Sequence, residues 1–368
     1  MDAGYSETEE LLRELEDEIR REYRKAAAEM QKKLIQYQQE FREENIKKLG
    51  QLRNGTITEK GYREWYKTQM MIGQRWIDMR DTLAADMTHS NKIAMSIIGG
   101  YLPEAYAINH NFATFEVESQ SRLNTSYTLY SREAVERLFR EKPTLLPRPG
   151  VNVTRDMMYN KRIITSCVLQ SILQGEDIYE LAQRVRPEVA EKAAAEYVGT
   201  HTAEALEHKL NVAAMRTART MITSAQNGGR IDGYRRAESM GIKLLKVWLA
   251  TPDSRVRDSH ARLDGEEKRT EEKFSNGCEY PGDPHGDPAE VYNCRCTLIT
   301  QVKGTPQINL TDLSQRHSGL KRDYVDGGNM TYQDWKDLHS VDKDIKEAAK
   351  TKWKESAKSE QRKKRNYS

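Results

Sequence analysis

From about Ser6 to Leu49 the chain sets apolar residues into a charged background at helical spacing. Leu15, Ile19, Tyr23, Ala26, Met30, Leu34, Tyr37 and Phe41 follow one another at steps of 4, 4, 3, 4, 4, 3 and 4. That rhythm is close to an eleven-residue repeat and predicts one long helix with a nearly straight or slightly right-handed packing seam. Ser6 with Glu9 fits a capping box at its start, and Gly50 fits a stop. The seam suits an amphipathic helix packed on its own domain as well as an intermolecular coiled coil, so self-association through this helix is one expectation. After the turn signal Asn54-Gly55, a second helical stretch carries Tyr62, Trp65, Tyr66, Met70, Ile72, Trp76 and Met79, and a third runs through Leu83 and Met87 toward Ile98. Methionines and aromatics at this spacing read as core. Gly99-Gly100 and Pro103 break the pattern. The stretch from Tyr101 to Tyr130, with Tyr106, His110, Phe112, Phe115 and Tyr127, then reads as irregular, either a docking surface or a connector pinned on the helices.

Ser131 to Arg140 predicts a short helix, and the Pro-rich run from Lys142 to Gly150 a linker, which puts a domain boundary near residue 150. Further helices are expected over Thr154 to Gln174, from Ile178, over Met215 to Gln226, and through Arg235 to Met240. Ile242 to Leu249 and Tyr292 to Thr300 alternate as strands do. The fold class is therefore α+β: long N-terminal helices followed by a mainly helical domain with a small β-sheet. The expected division is a helical region with a coiled-coil-like helix and aromatic connector (1–150), an α+β domain (151–302) and a polar, basic tail (303–368).

Composition narrows the possibilities. A chain of 368 residues accommodates two or three domains. A charged fraction of 31% and a mean hydropathy of -0.85 imply long solvated helices or tails. The net charge of +3 does not mark the whole chain as a nucleic-acid binder. No run nears the roughly 18 apolar residues of a membrane span, and Met1 to Glu10 is acidic, so a soluble protein made in the cytosol with no membrane partner is expected. Three of the four cysteines crowd between Cys278 and Cys296, unlike the spread framework of a secreted disulfide scaffold.

The segment from Trp248 to Leu298 concentrates the chemistry. Pro252-Asp253 is a helix-start signal with Asp253 as N-cap. A helix over Ser254 to Leu263 would then set Arg257, His260 and Asp264 on one face. Cys294 and Cys296, two apart in an expected strand, would point to the same side. Three readings stay open. His260, Cys294, Cys296 and either Cys278 or His285 could make a structural zinc site, although Cys-x-Cys is not the spacing of common zinc knuckles. A cysteine could be a nucleophile paired with His260, but no second acidic partner is identifiable. Or the cysteines are ordinary buried residues within a polar network that holds the loop. Farther on, Lys358, Arg362, Lys363, Lys364 and Arg365 form a basic cluster that is either solvated or in contact with phosphate. The same choice applies to Arg219, Arg230, Arg235 and Arg236, among which Glu204, Glu207 and Glu238 are interspersed.

Taken in order, Trp248, Asp253, Arg255, Arg257, His260, Leu263-Asp264-Gly265, Pro281-Gly282-Asp283-Pro284 and Asn293-Cys294-Arg295-Cys296 resemble the motif of the phage Mu F-type head morphogenesis proteins, the minor capsid proteins of many tailed phages. Upstream, Ala218-Arg219-Thr220 with Gln226-Asn227 looks like the family's Arg-Thr helix, with Met221 where many members carry Glu. The resemblance is strongest over residues 186–302, and Cys278 lies outside its pattern. It implies a non-enzymatic role in head assembly inside a virion built in a bacterial host's cytoplasm. The implied partners are the portal or inner capsid proteins, with nonspecific contact to packaged DNA and release with that DNA as further expectations. The competing expectation is a metal- or thiol-dependent hydrolase or DNA-processing enzyme that uses His260, Cys294 and Cys296.

Overall fold

The computed structural model describes residues 2–39, 42–71, 73–121, 129–183, 187–251, 253–304, 330–340, 343–349 and 351. In chain order these form α1 (Ala3–Gln39), α2 (Arg42–Arg53), α3 (Glu59–Met71), α4 (Gln74–Ser121), α5 (Arg132–Glu141), α6 (Val153–Gln183), α7 (Pro187–Ser239), β1 (Lys243–Leu249), α8 (Asp258–Arg262), β2 (Glu267–Lys268), α9 (Pro288–Val291), β3 (Thr297–Gly304) and α10 (Tyr332–His339). Phe41, Ile72 and Tyr127 lie outside the described residues, as does the basic cluster Lys358, Arg362, Lys363, Lys364 and Arg365. The chain divides into two compact units, one of residues 1–14, 99–148 and 217–368, the other of 15–98 and 149–216. One crossing falls at 148/149, where the Pro-rich linker suggests a boundary.

The second unit is helical. The α1 stripe Leu15, Ile19, Tyr23, Met30 and Leu34 is buried within this chain, together with Leu83 and Met87 of α4 and Ile164 and Val168 of α6. These residues of the seam thus pack within their own unit. Polar side chains set the register: Tyr23 donates to Asn91 (2.9 Å), Asn91 to Asp156 (3.0 Å), Asn160 to Thr88 (3.0 Å) and Gln31 to Thr200 (2.8 Å).

Several expected boundaries move. Asp2, not Ser6, caps α1, its carboxylate accepting the Tyr5 amide at 2.8 Å. Gly50 sits inside α2, and the stop comes at Gly55, whose φ of 75° suits a residue without Cβ. Helix α4 runs straight through Gly99-Gly100 and Pro103. Leu102, Pro103, Ala105 and Tyr106 are all buried there, and Arg132 donates to the Gly100 carbonyl at 3.0 Å, so tertiary packing overrides the local break. The breaks expected near Gly175 and after Gln226 are likewise absent, since α6 and α7 continue through them.

In the first unit the C-terminal half of α7 lies against α4. A Cβ on Gly229 would stand 2.3 Å from the Tyr106 carbonyl oxygen, and one on Gly233 2.9 Å from the Ala113 methyl. Glycines one turn apart therefore let the two backbones approach. Beside them sits a three-stranded antiparallel sheet of order β2-β1-β3, with Leu249 opposite Thr297 and Lys243 opposite Gly304. The outer edge of β3 would leave unpaired backbone groups. Side chains take the place of a fourth strand. Leu298 donates to Asn227 (2.8 Å) and accepts from Arg230 (2.6 Å), Thr300 donates to Glu116 (3.0 Å) and accepts from Gln120 (2.8 Å), and Val302 donates to Gln120 (2.9 Å). Residues 298, 300 and 302 share that edge because alternate residues of a strand present their backbone groups to the same side.

The expected polar tail also holds a folded element. Tyr332 and Trp335 of α10 pack on Phe112 and Phe115, and the Trp335 indole donates to Glu118 at 2.6 Å. Thr331 and Asp334 close a capping box at its start.

Candidate functional site

The site begins as a stripe on α7. Thr220, Thr223, Asn227 and Arg230, spaced three and four apart, face one direction. They meet the stretch ahead of β3 group by group. Thr220 accepts from the Asn293 amide (3.0 Å), Thr223 donates to the Cys294 carbonyl (2.8 Å), and Asn227 donates to the Cys296 carbonyl (3.2 Å). Gln226 adds a bond to the Thr297 hydroxyl at 2.8 Å. This α7 register explains why Cys294 and Cys296 are not strand residues, as the alternation suggested. The turn at Asn293, with φ 57°, leads into an extended stretch whose polar groups α7 satisfies, and β3 starts only at Thr297.

Helix α8 is shorter than expected, starting at Asp258 with Arg257 as N-cap. Asp253 is not the cap, because its carboxylate is engaged elsewhere. It accepts the Arg255 amide (2.9 Å) and a two-point ion pair from Arg295, which holds its carboxyl down to about 2. Nor do Arg257, His260 and Asp264 act together: Arg257 donates to the Tyr292 carbonyl, Asp264 accepts the Ala250 amide at 2.8 Å, and only His260 turns inward. Gly265, at φ 78°, returns its amide to the Trp248 carbonyl at 2.9 Å. In the loop that follows, Asp283 accepts the amides of Glu279 and His285, both at 2.9 Å. Buried Pro281 precedes Gly282, where a Cβ would stand 3.0 Å from the Ser224 amide.

At the centre, His260, Cys294 and Cys296 are all buried, with their ligand-type atoms within 4.8 Å of one another. His260 Nδ1 stands 3.6 Å from Cys294 Sγ and 3.4 Å from Cys296 Sγ. Its Nε2 lies 3.0 Å from Glu290 Oε2, off the line of a formed hydrogen bond. Trp248, fully buried, packs edge-on against both the imidazole (5.3 Å between centroids) and Phe274 (5.1 Å). The hydrogen bond from Cys294 holds the Cys296 thiol below its usual range against the opposing effect of burial, and His260 adds to the lowering. The same hydrogen bond, with burial second, pushes Cys294 well up.

Two expected ligands are not in this group. Cys278 is buried against Gly286, with burial pushing its thiol to about 11, and His285 is exposed on the loop. Arg230 is the opposite of a solvated helix face: it is fully buried, gripping the Asp2 carboxylate (2.6 and 3.0 Å), Asn109 (2.9 Å) and the Leu298 carbonyl. Arg235 pairs with Glu279. Sequence reasoning missed Glu290 and Thr223, and it named Thr220, Asn227 and Arg230 without reading their 3-4-3 spacing with Thr223 as one stripe.

The sequence of this segment has a counterpart among known families. Residues 162–299 match the family model of the Phage Mu protein F like proteins, and so hold the complete motif from Trp248 to Cys296. They are a Mu F-like segment, and the class it defines is that of phage head morphogenesis and minor capsid proteins. Among individual proteins, the chain is 25% identical over 240 residues to the minor head protein GP7 of Bacillus phage SPP1, covering 64% of this chain and 71% of GP7. It is also 27% identical over 161 residues to the NAD(+)--arginine ADP-ribosyltransferase EFV of Enterococcus faecalis (strain ATCC 700802 / V583). That similarity covers 43% of this chain but spans only 29% of the transferase. No solved structure matches. Among the described residues, no helix is long and apolar enough to cross a membrane.

Proposed function

We propose that this protein is a minor head component of a phage virion, working in head morphogenesis through contact with other capsid proteins, the portal foremost, and without catalysis. The observation that carries the reading is the shared length with GP7, 71% of that protein, beside the separate match of residues 162–299 to the Mu F-like family model. The motif's chemistry agrees with a structural role, since Asp253, Asp264, Asp283, Arg257 and Arg295 are spent on backbone groups or on one another. The transferase's activity stays with the transferase, because the match leaves most of its length uncovered.

Quantitative mass spectrometry of purified virions, before and after DNA ejection, tests this. A few copies per full head are expected, with retention in emptied particles placing the protein at the portal or capsid wall and loss marking it as ejected. Complete absence from virions would overturn the reading.

A further inference from the structure

We propose that His260, Cys294 and Cys296 bind one zinc ion, with Glu290 as the outer carboxylate that orients the histidine. In a tetrahedral site with Zn–S of about 2.3 Å and Zn–N of about 2.0–2.1 Å, nitrogen and sulfur are held about 3.6 Å apart. The two separations here are 3.4 and 3.6 Å. Hydrogen bonding alone accounts less well for this convergence, because Nδ1 carries either one proton or one lone pair and faces two sulfurs at once. A single ion between them satisfies all three donors.

The other imidazole nitrogen supports the same assignment. Metal-bound histidines commonly give their remaining N–H to a carboxylate, and Glu290 Oε2 is 3.0 Å from Nε2. Nε2 has no aligned hydrogen-bond partner among the described residues, so a small rotation of either side chain completes the pair. Charge favours the site too. Binding releases the two thiol protons to solvent, and two thiolates with a neutral imidazole cancel the ion's charge, which a buried pocket tolerates. The ion would tie α8 to the stretch ahead of β3, with Glu290 of α9 behind it, and a water would take the fourth position.

The test is metal analysis of the reduced full-length protein purified from zinc-supplemented cells, alongside cobalt reconstitution, whose thiolate-to-cobalt absorption reports sulfur ligation. About one zinc per chain is expected. Cys296→Ser and His260→Ala should lose it, and Cys278→Ser and His285→Ala should keep it. Glu290→Gln should retain the ion with affinity weakened about 10–100-fold. Should the ligand variants fail to fold, the wild-type protein still decides: a chelator must lower its unfolding temperature, and cobalt must give the thiolate band. Metal-free wild type with titratable thiols, a Cys294–Cys296 disulfide, or loss of metal in Cys278→Ser equal to that in Cys296→Ser would overturn the proposal.

Discussion

Arg230 shows how one side chain can join distant parts of the chain. Its guanidinium meets Asp2, Asn109 and Leu298, and stacks 4.9 Å from the centre of the Phe112 ring. Removing Asp2, its ion-pair partner, strands a buried cation, so Asp2→Ala should cost about 3–5 kcal/mol in urea unfolding, part of it recovered when Arg230→Met is added. A loss below about 1 kcal/mol would show that the pair is not needed. Glu116, which accepts from the Thr300 amide and the Tyr234 hydroxyl, is a second charge of consequence. Burial first, against the lowering effect of Arg230, raises its carboxyl from 4.5 to about 7. The folded state then binds more protons than the unfolded one between those values, so this group's contribution to stability falls as pH rises from 4.5 to about 7. Glu116→Gln should flatten that part of the stability-versus-pH curve, while an unchanged slope would assign it to another group.

Among the elements, the α4–α7 crossing and the guarded edge of β3 are what hold the motif in place. Both depend on residues that carry no strong sequence signal. Gly229 permits close backbone approach, whereas a Cβ on Gly228 would meet only side chains at ordinary contact distance, the edge of the Tyr106 ring at 3.4 Å and the Tyr280 hydroxyl at 3.7 Å. Gly229→Ala should therefore lower stability by about 1–3 kcal/mol, because the obstructing atom is backbone and cannot swing away. Gly228→Ala should be neutral or gain up to about 1 kcal/mol from helix propensity. Thermal melts of the two variants side by side check this, and equal losses would mean that helix distortion, not contact, sets the cost. The same crossing explains Pro103. A single-residue break costs about 3 kcal/mol in an isolated helix, less than the burial of several neighbouring side chains returns.

At the scale of the whole molecule, the two compact units interleave in sequence, a pattern that reading along the chain in consecutive blocks does not reveal. For the basic residues Lys358, Arg362, Lys363, Lys364 and Arg365 the sequence leaves open a solvated cluster or contact with packaged DNA, and the second reading is testable. Deleting residues 352–368 should abolish a weak, salt-sensitive affinity for double-stranded DNA in a filter-binding or anisotropy assay, and salt-independent binding would sink that role. By itself the sequence determined the helical periods, the short α5 to within one residue at each end, the first strand, and the motif whose order identifies the Mu F-like segment. These follow from local spacing, which each stretch of chain carries alone. Only the tertiary structure decided that Pro103 does not end α4, that Arg230 lies inside, that α7 reads the backbone from Asn293 to Leu298, and that His260 meets Cys294 and Cys296 while Cys278 and His285 do not. Each of those outcomes depends on groups far apart in sequence competing for the same buried space, and the winner is set by which polar groups can be satisfied once water is gone.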